Sequence, residues 1–219
     1  MRQTPYSLQD IEKKLFSAVI ADALDGLGYR NQSPNISFRA YTGIYKMVGR
    51  CKTTLWADMY HDDLNPYELE LKAVDSCEPG DILIAAAGGS TRSGIWGELL
   101  STAARNRGCR GAIAHGGIRD IAQMREMEFP VFATDTSIYD SLHRQRVIDI
   151  DIPVEIGGVT FIPGALLFCD GDGIVVIPPE VEVEAIENAM TKVEAENITR
   201  DEIRKGMKAA DAYKKYGVL

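Results

Sequence analysis

The sequence predicts an α/β fold, a parallel sheet segment with crossover helices, joined to a layer of short strands and closed by a helical tail. Three observations carry that expectation. Two apolar runs, 81–87 and 111–114, break at the glycine pairs Gly88-Gly89 and Gly116-Gly117, and each is followed by a helical stretch. A third short run, Phe129-Pro130-Val131-Phe132, follows the second helix, giving an order of strand, helix, strand, helix, strand. That order implies parallel strands with right-handed crossovers. Between 147 and 178 the chain changes to short β-rich pieces separated by glycine turns, which predicts an antiparallel or mixed layer.

From the N-terminus, Ser7 with Asp10 resembles a helix N-cap, and Ile11, Leu15, Val19 and Ala23 recur at helical spacing. One helix is expected to run to about Leu27 and stop at Gly28. Asp22 and Asp25 fall in its last turns, against the helix dipole, and read as a solvated face or a cap to a neighbouring loop. Residues 31–36 form a polar connector, and 43–57, rich in β-branched and aromatic types, a strand. His61-Asp62-Asp63 are adjacent and do not converge on one ion, so they read as a loop leading to a helix over 66–74. Glu78-Pro79-Gly80-Asp81 is a tight turn into the first apolar run.

The helix after Gly88-Gly89 carries Leu99, Leu100, Ala103 and Ala104 on one stripe, with Gly108 as its stop. The next opens with Arg119-Asp120, and 133–146 is polar loop. Asp170-Gly171-Asp172-Gly173 lacks the spacing of a calcium loop and reads as a hairpin turn. From Pro179 a charged helix buries Val181, Val183, Ile186, Ala189 and Val193, and a second helical piece spans 201–216. With no linker, repeat or low-complexity tract, 1–219 reads as one domain. Its tail, from about 179 to 219, is long and only partly apolar, which suits packing on a neighbouring subunit.

Composition bounds the partners. A chain of 219 residues, 45% hydrophobic, is long enough to bury a core without staples. A net charge of −8 argues against nucleic acid, and no apolar run approaches the roughly 20 residues of a membrane span. Cys51, Cys77, Cys109 and Cys169 are scattered, with no CxxC and no histidine at finger-like spacing; they read as buried free thiols in a reducing cytosol. The N-terminus shows no signal-peptide pattern, and a cytoplasmic location is expected.

Several chemistries are excluded by motif. There is no G-x-S-x-G elbow, Walker lysine motif, HExxH, or G-x-G-x-x-G after a strand, and three histidines are too few for a multi-histidine site. Methyl transfer has no support either, for want of a glycine-rich cofactor loop with its acidic partner. Both glycine breaks instead deliver a carboxylate, Glu98 or Asp120, near a helix start beyond a strand, where α/β sheets bind ligands. Carboxylates among glycine turns suit a hard cation such as Mg²⁺ or Mn²⁺ better than zinc. Arg119 beside Asp120 supplies a fixed cation for a carboxylate or an enolate oxygen. The same pair also fits an ordinary charged helix start.

Trp96-Gly97-Glu98-Leu99-Leu100, Gly108-Cys109-Arg110-Gly111 and Gly116-Gly117-Ile118-Arg119-Asp120 resemble the signature region of the RraA-like family. That family includes class II pyruvate aldolases acting on 4-hydroxy-4-methyl-2-oxoglutarate or 4-carboxy-4-hydroxy-2-oxoadipate. Its aldolase pattern, an acidic residue, twenty intervening residues and then Arg-Asp, is matched by Glu98 and Arg119-Asp120. The resemblance extends to 21–28, 129–132, 153–158 and 171–178, and to Glu196 in the C-terminal helical region.

The resemblance implies a layered, swivelling-domain-like sandwich assembled as a trimer or a pair of trimers, with active sites between subunits. It makes Asp120 the direct ligand of Mg²⁺ or Mn²⁺. Glu98, and Glu196 from the neighbouring subunit, would each hold a metal-bound water. Arg119 would pair with the 2-oxo group or enolate, and the helix start at Gly97, Leu99 and Leu100 would bind the substrate carboxylate. The implied reaction is C3–C4 cleavage of a small 4-hydroxy-2-oxo acid to pyruvate, with oxaloacetate decarboxylation as a side activity. The family's namesake instead inhibits ribonuclease E by binding, which is the alternative. Two positions depart from the family: Gln123 stands where an acidic residue is frequent, and so does His115, read here as a satisfied buried histidine. Arg92 reads either as a contact to the distal end of a substrate or as a surface charge.

Overall fold

A computed structural model describes residues 4–218. Its elements are α1 (Leu8–Lys14), α2 (Ser17–Gly26), β1 (Arg39–Ala40), β2 (Met47–Asp58), α3 (Glu68–Asp75), β3 (Asp81–Ala86), β4 (Gly94–Trp96), α4 (Glu98–Asn106) and β5 (Gly111–Ile118). There follow α5 (Ile121–Glu126), β6 (Val131–Thr136), β7 (Gln145–Ile150), β8 (Val154–Ile156), β9 (Val159–Phe161), β10 (Leu166–Cys169), β11 (Ile174–Ile177), α6 (Glu182–Arg204) and α7 (Ala209–Tyr216).

The expected parallel segment is present, with β6, β5, β3 and β2 as neighbours in that order and α3, α4 and α5 as the connecting helices. Its two central strands, β3 after Asp81 and β5 from Gly111 to Ala114, are apolar runs because both faces are covered. In β3, Leu83 and Ala85 pack in one cluster with Ala73, Ala104 and Met124 of the crossover helices. Ile82, Ile84 and Ala86 pack in another with Val154, Ile156 and Phe161 of the β8–β9 hairpin. Among the described residues only that hairpin stands apart as a separate sheet: β10 and β11 extend the main sheet antiparallel, with β10 paired to β2. Leu166, Phe168, Val175 and Ile177 of that extension pack against α1, α2 and α6 through Ile11, Leu24, Ile186 and Ala189. The turn from Asp170 to Gly173 is the hairpin bend between β10 and β11.

The structure corrects the sequence reading in several places. The N-terminal helix is two helices, broken at Leu15 and Phe16. Ser7 caps the first, accepting from the Asp10 N–H. The second starts where the Asp170 carboxylate accepts from the Ser17 N–H at 2.7 Å and its hydroxyl at 2.6 Å, a cap supplied from a distant turn. Asp170→Ala is therefore expected to cost about 1–2 kcal/mol, read as a lower midpoint of chemical unfolding at unchanged slope. The second glycine pair does not end its strand. Added Cβ atoms at Gly116 and Gly117 would lie 3.0 Å from the Ser90 carbonyl and 2.7 Å from the Ser93 carbonyl, so these glycines admit a neighbouring loop while β5 runs on to Ile118. At the C-terminal end α6 continues to Arg204 before the chain turns to α7. Its apolar buried side is Ala185, Ile186, Ala189 and Met190, with Val181, Val183 and Val193 only partly covered.

Candidate active site

A cleft of about 280 Å³ opens where α3 and the loop between β6 and β7 meet the ends of β4 and β5. One wall carries Tyr67, Glu70 and Leu71, and a second Gly97, Leu99 and Leu100 at the start of α4. Arg119 and Asp120 line it from the turn after β5, and Asp140 from the loop.

The turn from β4 into α4 is fixed by polar contacts. The Trp96 carbonyl accepts from the Arg119 N–H at 2.9 Å. The Trp96 indole N–H donates to Ser101 Oγ at 2.8 Å, and that hydroxyl donates to the Gly97 carbonyl at 2.9 Å. Asp120 sits in the left-handed region at φ 57°, which its short polar side chain tolerates. Its Oδ2 accepts from the Glu98 N–H at 3.2 Å, so this carboxylate meets the first orphan donor of α4. Position 97 has no room for a side chain, since a Cβ there would lie 2.6 Å from the same oxygen.

Arg119 Nη2 donates to Asp140 Oδ2 at 2.7 Å, and its Nε lies 3.8 Å from Asp120 Oδ2. Asp140 is anchored in turn by the Tyr67 hydroxyl at 2.6 Å and the Leu142 N–H at 2.8 Å. Burial would raise the Asp140 carboxyl, but the bonds from Tyr67, Leu142 and Arg119 outweigh it and hold it below its ordinary value. The Tyr67 phenol is pushed up to about 12 by burial and by its bond to Asp140. Arg119 is thus held as a cation facing the cleft.

The structure therefore brings Gly97, Leu99, Leu100, Arg119 and Asp120 to one cleft. Glu98 adjoins it through its N–H, while its carboxylate lies along α4 and accepts from Thr102 Oγ1 at 2.7 Å. Leu99 is not on the buried stripe: it is 77% exposed, and Ser101 and Ala104 are the residues α4 buries. The helix starts at Glu98, and two steps of the helical turn carry Leu99 away from Ser101. The N–H groups of Leu99 and Leu100 have no partner within the helix, which leaves them as anion donors. Glu196 is elsewhere, in a groove on α6 with Thr199 and Ile203, its carboxylate 3.7 Å from Arg200.

Among the described residues no three His, Cys, Asp or Glu side chains are grouped as a metal cluster. The donors at the cleft are carboxylate oxygens, a set that fits Mg²⁺ or Mn²⁺ holding most of its waters and one or two protein ligands. His115 is not satisfied, because its buried Nδ1 has no partner among the described residues. Arg92 turns from the cleft to the Met59 carbonyl at 2.9 Å and the Tyr60 ring.

Sequence reasoning missed Tyr67, Glu70 and Asp140. Glu70 is only 7% exposed, and its Oε2 is buried with no hydrogen-bond partner among the described residues. Burial first, then Asp140, pushes this carboxyl up to about 8, with Arg119 opposing. The folded chain thus holds a proton that the unfolded chain has released. The associated stability is complete at acid pH and is lost as pH rises through about 8. A trace of Glu70 is present in the sequence, as a charged residue in register with Ala73 and Val74 on the apolar side of α3. Asp140, in a polar loop, has no such signal.

A family model described as RraA-like, Aldolase/RraA, matches residues 17–176. A protein of Halalkalibacterium halodurans named "Putative 4-hydroxy-4-methyl-2-oxoglutarate aldolase" is 31% identical over 194 residues, covering 89% of this chain and 87% of that one. An uncharacterized protein from Pseudomonas syringae pv. tomato shares the fold at a TM-score of 0.83, with 23% identity and coverage of 97% and 99%. Streptomyces coelicolor RraAS2, described as an unusual member of the RNase ES inhibitor RraA protein family, superposes at a TM-score of 0.78. Its identity is 26%, over 91% of this chain and 99% of that one.

Proposed function

Because this chain belongs to the RraA-like, Aldolase/RraA family, we propose that it is a divalent-metal-dependent lyase, a class II pyruvate aldolase. It cleaves the C3–C4 bond of a 4-hydroxy-2-oxo acid to pyruvate through an enolate and decarboxylates oxaloacetate as a side activity. The observation that carries this reading is the meeting, in one cleft, of a fixed guanidinium, a carboxylate and the free N–H groups of a helix start.

Each group has a task in that chemistry. The N–H groups of Leu99 and Leu100 bind the substrate carboxylate, and Arg119 faces the 2-oxo oxygen, where charge develops as the bond breaks. Asp120 would hold the ion directly, and Glu98, whose carboxylate now accepts from Thr102, would support it through water. When bound, Mg²⁺ or Mn²⁺ polarises the 2-oxo group and stabilises the enolate charge. Asp140 and Tyr67 keep Arg119 extended into the cleft. Glu196 serves the cleft of a neighbouring copy in a trimer or hexamer; its place on α6, with Ile198 and Ile203 exposed beside it, supports that assignment. The enzyme acts in the cytoplasm; among the described residues no helix is long and apolar enough to cross a membrane.

Oxalate, a planar dianion shaped like the pyruvate enolate, tests the reading without turnover. Calorimetry is expected to give binding with Mg²⁺ present and none after EDTA; equal binding in both overturns the metal assignment. Tyr67→Phe removes one anchor of Asp140 and is expected to lower kcat/KM for pyruvate release by about tenfold, the worth of roughly one hydrogen bond. The second reading, a binding regulator of ribonuclease E, draws on the likeness to the Streptomyces protein. A binding surface has no use for the fixed Arg119 and Asp120, which favours the enzyme.

A further inference from the structure

We propose that Glu70 is the proton carrier of this site: its carboxyl takes the 4-hydroxyl proton of the substrate as the C3–C4 bond breaks and delivers a proton to C3 of the enolate. The proposal rests on the enolate reading above and names a residue that neither the family pattern nor the sequence motifs pointed to.

Geometry comes first. Glu70 stands on α3, while Arg119, Asp120 and the start of α4 line the same cleft from other elements. A substrate held by its carboxylate at α4 and its 2-oxo oxygen at Arg119 leaves its C3–C4 bond free to face α3. The other titratable groups of the cleft are committed. The Tyr67 hydroxyl donates to Asp140, and Asp140 is ionised and paired with Arg119. Asp120 accepts from the Glu98 N–H and lies near Arg119. Of the carboxylates lining the cleft, Glu70 is the one with a buried oxygen, Oε2, that has no donor among the described residues, an arrangement native proteins rarely keep without a use.

The charge state suits both halves of the reaction. Burial and the facing Asp140 push this carboxyl up to about 8 against the pull of Arg119, so both forms are accessible near neutral pH. In its ionised form Glu70 removes the proton from the 4-hydroxyl. The O–H electron pair becomes the new C4=O bond, the C3–C4 pair moves to C2=C3, and charge collects on the 2-oxo oxygen. The protonated carboxyl then gives its proton to C3, which completes pyruvate and restores the carboxylate. No other reactant is consumed. The two proton positions are on adjoining carbons, within reach of one carboxyl.

The second half can be read alone, as exchange of the pyruvate methyl protons for deuterium in D₂O with Mg²⁺, followed by NMR. The wild-type chain is expected to exchange above a no-protein blank. Glu70→Gln, which keeps the shape, is expected to lose at least about 10²-fold of that rate while Mg²⁺-dependent oxalate binding stays within about threefold. Glu70→Asp is expected to recover part of the rate. The same Gln variant should remove the loss of stability through about pH 8, since no carboxyl remains to titrate. A Gln variant that exchanges at the wild-type rate overturns the role of Glu70 and leaves the enolate reading standing. One that loses oxalate binding along with exchange makes Glu70 a positioning residue and also overturns the proposal. A wild-type chain with neither exchange nor metal-dependent oxalate binding overturns both.

Discussion

Asp120→Asn is expected to reduce metal-restored pyruvate release to the level of a metal blank, a loss on the order of 10³-fold. The substitution isolates the charge. Asparagine tolerates the left-handed backbone at φ 57°, where alanine adds strain, and its amide oxygen still accepts from the Glu98 N–H. The turn, the start of α4 and the cleft wall therefore persist while the carboxylate proposed to hold the ion is lost. Size-exclusion profile and unfolding midpoint should match the wild type. Asp120→Ala gives the same loss of turnover with an added cost in stability. Turnover like that of the wild type in the Asn variant places the ion elsewhere.

Arg119→Lys is the second large effect, a drop of about 10²–10³-fold in kcat and in kcat/KM together. The guanidinium donates to Asp140 at 2.7 Å and, on the proposed reading, presents its other N–H groups to the 2-oxo oxygen. A lysine ammonium is a point charge that cannot serve both partners in a fixed plane. The parallel fall of the two constants follows if the contact strengthens as charge develops on the oxygen. A rise in KM alone would mean that Arg119 binds the ground state and the transition state equally.

Much of this organisation was legible in the sequence. The parallel segment was readable because its strands are buried on both faces and its helices keep their apolar spacing. Arg119 and Asp120 were readable because a glycine-rich strand end followed by a charged helix start is a local pattern. What escaped depends on long-range contacts. The break before Ser17 is set by Asp170, which lies far along the chain yet caps α2. The glycines at 116 and 117 announced a turn by composition, whereas their role is to let the 90–94 loop approach β5. Asp140 gained its place only through Arg119, Tyr67 and the Leu142 N–H, three partners that no spacing rule connects. Glu70 was hidden because a charged residue on a predicted helix is ordinarily a solvated one.

The measurement that bears most directly on the proposed chemistry is pyruvate release from oxaloacetate by EDTA-stripped protein, before and after adding Mg²⁺ or Mn²⁺, against a matched no-protein metal blank. Oxaloacetate loses carbon dioxide unaided, so only the protein-dependent excess counts. The proposed function predicts no excess in the stripped protein, a saturable excess on adding metal, and none at any metal concentration with Asp120→Asn. An excess that survives EDTA, or that the Asn variant retains, would contradict it.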